Sequence, residues 1–256
     1  MDLYMTLPPV ARTITAAALV ESALAHGGVL PFVHVLFLPS KIFKIFPEIW
    51  RFISPFLLTA GGFGFLLDLY FLYKFSSDLE VNSPRFAQTG DFVTYVFFVA
   101  TVILLTSGGL LGNIVFTSAL IMAFVYLYAQ DNRGKKVSFY IIQIPAEYLP
   151  WAMLLLTFVM GGVPALLSEG TGILASHLYD FLTRIYPAFG GGKNYIKTPL
   201  FVQRYFASHG FTRAHGGYRM NRPAEREPPS SATASGSWFP SVGGSWKGRG
   251  AGRRLG

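Results

Sequence analysis

Cysteine is absent from these 256 residues, which excludes disulfides, thiolate nucleophiles and Cys-based metal sites. The absence identifies no compartment, because a membrane body needs no covalent staples. Charge is scarce too: 13% of residues are Asp, Glu, Lys or Arg while 52% are hydrophobic, a balance outside the range of soluble domains. The start, Met1-Asp2-Leu3-Tyr4, lacks the basic flank of a signal peptide, and no small-residue cleavage site follows a compact apolar core. The first apolar stretch is therefore expected to be a retained anchor.

What is present is a run of apolar stretches. Six candidate spans fall at roughly 13–36, 55–73, 92–112, 114–130, 138–163 and 166–186, each near the ~20 residues that cross a bilayer core. The third and fourth adjoin at Gly112-Asn113, so a reversal there separates two spans from one long segment. Basic residues set the orientation, since cytoplasmic loops are enriched in Lys and Arg. With both termini cytosolic, Arg12, Lys74, Arg85, Arg133, Lys135 and Lys136 lie on the cytosolic side, against Lys41, Lys44 and Arg51 on the far side. The far-side loop at about 37–54 carries Ile42-Phe43, Ile45-Phe46 and Ile49-Trp50 beside its cations. Such a loop suits the headgroup region, either as a working element or as a re-entrant stretch that only packs on the bundle.

Trp50-Arg51 in that loop resembles the tryptophan–arginine pair of the rhomboid superfamily, and the surroundings narrow the resemblance to the Derlins. The supporting stretches are Pro8-Pro9-Val10-Ala11-Arg12, Asp68-Leu69-Tyr70-Phe71-Leu72-Tyr73, Tyr148-Leu149-Pro150-Trp151 and Gly190-Gly191-Gly192-Lys193-Asn194-Tyr195-Ile196-Lys197-Thr198-Pro199. Together they cover residues 8 to about 206. The resemblance implies an all-α membrane protein: a six-span rhomboid-like bundle over residues 1–187, a basic juxtamembrane segment over 188–220 and a disordered basic tail over 221–256. It also implies residence in the endoplasmic reticulum membrane and a part in moving misfolded proteins to the cytosol for ubiquitin-dependent degradation. The implied partners are a membrane ubiquitin ligase complex, misfolded client proteins, the bilayer itself and a segregase ATPase of the valosin-containing-protein type. A homo- or hetero-oligomer is compatible with it; no nucleic acid, cofactor or metal is expected.

Rhomboid proteases need a serine in Gly-x-Ser-Gly and a histidine on the sixth span, so that imidazole takes the hydroxyl proton while backbone donors receive the oxyanion. No Gly-x-Ser-Gly occurs here. Ser107-Gly108 follows Leu105-Thr106 late in the third span, and Ser118 lies between Thr117 and Ala119, without the glycines that allow a backbone to approach a substrate carbonyl. His177 stands where the superfamily histidine would, and without its nucleophile it reads as a packing or hydrogen-bonding residue. The expectation is a pseudoprotease, with a true intramembrane serine protease using Ser118 or Ser107 with His177 as the rival. Gly172 and Ser176, four apart, put two small side chains on one helix face, where another helix can approach closely. Generic packing explains that spacing as well as a functional motif does.

Glu21, Asp68, Glu147 and Asp180 are ionisable residues in or near the spans, where a charge costs about 2.5–3.5 kcal/mol at a lone helix centre. A small-solute transporter would use them as ion ligands, with Pro145, Pro150 and Ala60-Gly61-Gly62-Phe63-Gly64 breaking helices around a site. The Derlin resemblance implies instead that they line a wet cavity open to the membrane. Short spans would also compress the lipid around them.

The segment after Pro187 holds 11 of the 21 basic residues against Glu225 and Glu227. Its first part, with Phe201, Tyr205, Phe206 and Phe211, suits an amphipathic piece on an anionic leaflet. From Asn221 to Ser245 the composition of Pro, Ser, Gly and Ala suits a tether. At its end Gly250-x-Gly252-x-x-Leu255-Gly256 resembles the SHP box by which Derlins recruit the segregase. Arg249 stands where an aromatic is usual and Trp246 lies three residues earlier, so the candidate hook is Trp246, Gly250, Gly252, Leu255 and Gly256; the bland alternative is a Gly/Arg-rich solubilising tail.

Overall fold

The computed structural model describes residues 7–42, 48–139, 142–189, 196–208, 211–214 and 217–220. All belong to one unit, Met1–Arg222. Trp246, Gly250, Gly252, Leu255 and Gly256 lie outside the described residues, as do Gly190–Tyr195 and the Phe43–Pro47 part of the far-side loop.

The chain is mostly helical. Helix α1 (Pro9–His26) is followed by two single turns, α2 (Phe32–Val35) and α3 (Pro39–Ile42), and by 3₁₀ turns at Ile49–Phe52 and Ser54–Phe56. Then come α4 (Phe63–Asn82), α5 (Thr89–Ile103) with a π-helical extension over Leu104–Leu110, and α6 (Thr117–Asp131). A hairpin of β1 (Lys136–Phe139) and β2 (Ile142–Pro145) precedes α7 (Leu149–Asp180), which continues through a π-helical stretch into α8 (Tyr186–Phe189). Helix α9 (Leu200–Ser208) and a second hairpin, β3 (Phe211–Ala214) with β4 (Gly217–Met220), complete the described part.

These bounds shift the expected spans for identifiable reasons. Pro9 occupies the first turn of α1, where its missing N–H costs nothing. The next two amides, of Val10 and Ala11, donate to the two carboxylate oxygens of Glu80 on α4 at 3.1 and 2.7 Å. A negative group at a helix N-terminus satisfies orphan donors and opposes the helix dipole. The helix stops at Gly27-Gly28, with Gly28 at φ 75°, about ten residues before the expected limit of 36. Likewise α4 begins only after Gly62, at φ 62°, and runs on to Asn82. Helix α5 starts at a capping box in which Gln88 and Asp91 satisfy each other's backbone amides.

The fifth expected span, 138–163, gives up its first residues to the β1–β2 hairpin, in register Lys136↔Pro145 to Phe139↔Ile142. Val137, Ile142 and Ile144 are β-branched residues that favour a strand. The two hairpins correct an all-helical expectation to a mostly helical one.

Helix α7 is two limbs. Gly162 takes φ 70°, ψ −165°, and Thr157 Oγ1 donates to Glu169 Oε2 at 2.8 Å. Twelve residues of straight helix would separate these groups by about 18 Å, so the chain folds back at Gly162. Two stretches, Thr89–Leu110 and Ala146–Phe189, are long and apolar enough to cross a membrane, and the second, of 44 residues, is the one that reverses. The outer face of its first limb bares Trp151, Leu155, Val159 and Met160, the last 81% exposed. An apolar surface of this kind suits hydrocarbon, not water.

Helix α6 is buried over most of its surface from Thr117 to Ala129, with Ser118, Tyr126 and Tyr128 partly exposed, and packs against α4, α5 and α7. Aromatic rings fill the space around it: Phe86, Phe92, Tyr95 and Phe124 meet one another at centroid distances of 5.4–6.1 Å.

Candidate functional site: a pinned loop and an acidic groove

The far-side loop is held by Arg51. Its side chain is 1% exposed; Nη1 donates to Val33 O at 2.7 Å and Leu36 O at 2.6 Å, and Nε pairs with Glu48 Oε2 at 2.5 Å. Val33 and Leu36 sit at the end of the single turn α2, where carbonyls lack helical partners. Ser54 Oγ adds a bond to Val35 O at 2.9 Å. Trp50, by contrast, is 53% exposed, with Nε1 donating to His34 O at 3.3 Å. An indole bared beside a buried arginine matches a headgroup-depth side chain.

Gly172 lies where α7 crosses α6. A Cβ there would stand 1.9 Å from Ala119 O and 3.1 Å from Ala123 N, so the two backbones touch only because the side chain is missing. Ser176, one turn on, is fully buried with its Oγ 3.0 Å from Tyr95 Oη, which also donates to Ala123 O at 3.0 Å. The small pair thus joins α5, α6 and α7 at one point.

The candidate nucleophiles and base are separately engaged. His177 Nδ1 is 3.0 Å from Tyr126 Oη. Ser107 Oγ accepts from Asn113 Nδ2 at 2.8 Å. Ser118 faces a different place, a groove of about 300 Å³ between α4, α6 and the first limb of α7.

That groove gathers two of the acidic side chains. Asp68 and Glu169 line it, together with Thr157 and Met160. Asp68 Oδ2 accepts from Ala60 N at 2.8 Å, tying the start of α4 to the loop before it, and Glu169 accepts from Thr157. Glu169 was not among the charges singled out from sequence; the reversal at Gly162 turns it inward, and Ser168-Glu169-Gly170, a polar break inside an apolar run, was its signal. Glu147 is exposed in the turn before α7, and Glu21 leaves Oε1 buried without a partner.

Asp180 belongs to another cluster. Arg85, in the α4–α5 loop, joins Asp131 at the end of α6 (Nε to Oδ1, 2.5 Å) and Asp180 at the end of α7. Ser83 Oγ completes it with a 2.5 Å bond to Asp131 Oδ2. Burial alone would lower the Arg85 pKa, but the hydrogen bonds and charges of the two aspartates outweigh it and hold the pKa above its ordinary value. Three helix ends are thereby tied at one face of the bundle.

A helical bundle with a bare apolar exterior, a loop pinned by a buried arginine and an acidic groove between its helices defines a class of membrane protein. Within that class the Der1-like family model matches residues 7–200, and the chain belongs to this family. Among its relatives, Derlin-1 of Mus musculus and Derlin-1 of Homo sapiens are each 32% identical over 212 residues, 81% of this chain and 82% of theirs. Derlin-1 of Arabidopsis thaliana is 30% identical over 210 residues, 80% of this chain and 77% of its own. Membership gives the chain a Derlin role in endoplasmic-reticulum-associated degradation, as a helical protein of that membrane.

Proposed function

We propose that the chain is a non-catalytic conduit or chaperone that takes misfolded proteins laterally from the membrane and eases their passage to the cytosol. The observation that carries this reading is the groove holding Asp68, Glu169 and Thr157 beside the apolar limb of α7. Polar client segments in hydrocarbon lack hydrogen-bonding partners, at several kcal/mol per unsatisfied group, and a groove with carboxylates and a hydroxyl supplies them. Replacing both acids, Asp68→Asn with Glu169→Gln, should lengthen the half-life of a misfolded membrane reporter about threefold or more while leaving insertion intact. An unchanged half-life refutes the conduit role of the groove.

The remaining parts follow from the same reading. The bundle makes six passes with both termini cytosolic, Trp50 and Arg51 keep the far-side loop at the interface, and a membrane ubiquitin ligase complex sits beside it. Residues Trp246 to Gly256 capture the segregase ATPase, so their deletion should abolish pull-down of that ATPase by the purified chain. The pseudoprotease reading is supported by His177 and Ser107 each bonding to another partner. A fluorophosphonate probe should leave Ser107 and Ser118 unlabelled; a label on either establishes the protease instead.

A further inference from the structure

Two cavities meet where α9 docks on α5, and their chemistry differs. The first, about 820 Å³, is polar, with Arg184, Lys197, Thr183 and Gln203 in its wall. The second, about 500 Å³, is almost wholly apolar and lies between Phe97, Phe98 and Val102 of α5 and Pro199, Phe201 and Val202. Both fall in the range, roughly 300–1,000 Å³, of cavities that hold small molecules. Ile196 lines both, Lys197 and Thr198 face the polar one, and Pro199 and Val202 face the apolar one.

The seat is built, not left over. Thr198 Oγ1 donates to Asp91 Oδ1 at 2.5 Å, Gln203 Nε2 to Thr198 O at 3.2 Å, and Val202 packs so close over Gly90 that a Cβ there would be 3.3 Å from it. In the apolar groove the hydroxyls of Thr94 and Thr101 donate back to Gly90 O and Phe97 O, so its wall offers a ligand no free donor. In the polar cavity the charges divide unevenly. Arg85 is already held by Asp131 and Asp180, and Asp91 is taken by Thr198 and by its own capping box. Arg184 is 62% exposed and only 3.7 Å from Asp180, and Lys197 is exposed with no ion pair among the described residues. Lys197 is therefore free to meet an anion, and Arg184, held only by a long, solvent-exposed pair with Asp180, can turn to share it.

The order along α5 matches one class of molecule. Asp91 marks the polar cavity and Val102 the far end of the groove, about 16 Å along the helix, close to half of the ~30 Å hydrocarbon core. We propose that α5 and residues 196–203 form a binding site for one glycerophospholipid, with its phosphate at Lys197 and Arg184 and an acyl chain in the groove against Phe97 and Val202. The site rests on α5 being membrane-embedded and is independent of client transport. It gives α9 a specific lipid to dock against, so that the segment leading to the C-terminal tail is fastened to the leaflet beside α5.

The test uses the full chain in phosphatidylcholine nanodiscs doped with phosphatidic acid, phosphatidylcholine or diacylglycerol, each carrying the same diazirine acyl chain. Illumination with either phospholipid should label peptides covering 93–102 and 196–203 at least fivefold above diacylglycerol. Phosphatidic acid exceeding the phosphatidylcholine probe identifies an anionic headgroup; equal labelling identifies the phosphate alone. Val202→Trp, and Thr94→Trp from the opposite wall, fill the groove and should reduce labelling to the diacylglycerol level with an unchanged melting temperature. Lys197→Gln with Arg184→Gln should cut phospholipid labelling at least threefold, and Lys197→Arg should restore it. Equal labelling by diacylglycerol, or labels spread evenly over lipid-facing residues such as 151–160 and indifferent to these variants, overturns the site. Absence of label anywhere would instead refute the membrane embedding of the chain.

Discussion

Gly172 and Arg51 are the residues whose replacement the structure tolerates least, for opposite reasons. At Gly172 the obstacle is backbone: a methyl group would land 1.9 Å from the carbonyl of Ala119 on a helix buried over most of its surface. Overpacking of this kind costs about 1–3 kcal/mol, at the upper end where the neighbour cannot move. Thermal unfolding in detergent should therefore show Gly172→Ala well below the parent chain. Ser176→Ala should cost only about 1 kcal/mol, because Tyr95 keeps its bond to Ala123 O. Reversal of that order would mean that the helices crossing here separate easily. At Arg51 the obstacle is geometry. One guanidinium reaches two carbonyls and a carboxylate, and Arg51→Lys, with a point charge in place of a fork, should lower stability by about 1–3 kcal/mol and raise protease nicking of the 37–54 loop. The sequence singled out both residues, Gly172 for close packing and Arg51 for its loop. That the arginine is buried and the tryptophan bared was not legible, because the open carbonyls of α2 that draw Arg51 inward exist only once that turn has formed.

Among the elements, the sequence marked the apolar runs that become Thr89–Leu110 and Ala146–Phe189, but the helix ends poorly. Hydropathy averages over a window, whereas a helix ends where one glycine adopts positive φ, as Gly28 and Gly62 do, so α1 stops early and α4 starts late. The reversal within α7 falls at Gly162, beside the expected boundary of 163–166, since Gly161-Gly162 and Pro164 are themselves the breaking signal. Glu80 escaped notice because the second span was expected to close at 73, leaving it in a loop, whereas the longer α4 delivers its carboxylate to the first amides of α1. Glu80→Gln keeps an acceptor oxygen but loses the charge and one of the two acceptor positions. A cap of this strength contributes about 1–2 kcal/mol, so hydrogen exchange at Val10 and Ala11 should speed up by roughly five- to thirtyfold. Exchange unchanged at these amides, with the helix otherwise intact, would show that water caps α1 equally well.

On the proposed six-pass reading, the molecule would offer lipid a belt of uneven height. The first limb of α7, with the 3₁₀ turn before it, runs from residue 146 to the reversal at Gly162, about 16 residues or roughly 24 Å, and its outer face is bare apolar side chain. If that limb crosses the membrane as proposed, it faces a hydrocarbon core ~30 Å thick, and on this side the bilayer would thin by several ångströms or the limb would expose polar ends to hydrocarbon. The groove with Asp68 and Glu169 opens against the same limb; on the proposed reading, thinned lipid would lie next to the groups that a polar client segment meets. Each ångström of mismatch costs a fraction of a kcal/mol, small singly but about 1–3 kcal/mol over such a gap. The chain should therefore melt highest in bilayers of 14-carbon phosphatidylcholine and several degrees lower in 22-carbon lipid, and a density map in nanodiscs should show the headgroup layers drawn together beside residues 149–161. A melting temperature that rises with acyl length, or parallel headgroup layers at that limb, would remove thinning from the mechanism and leave the acidic groove to lower the crossing barrier by itself.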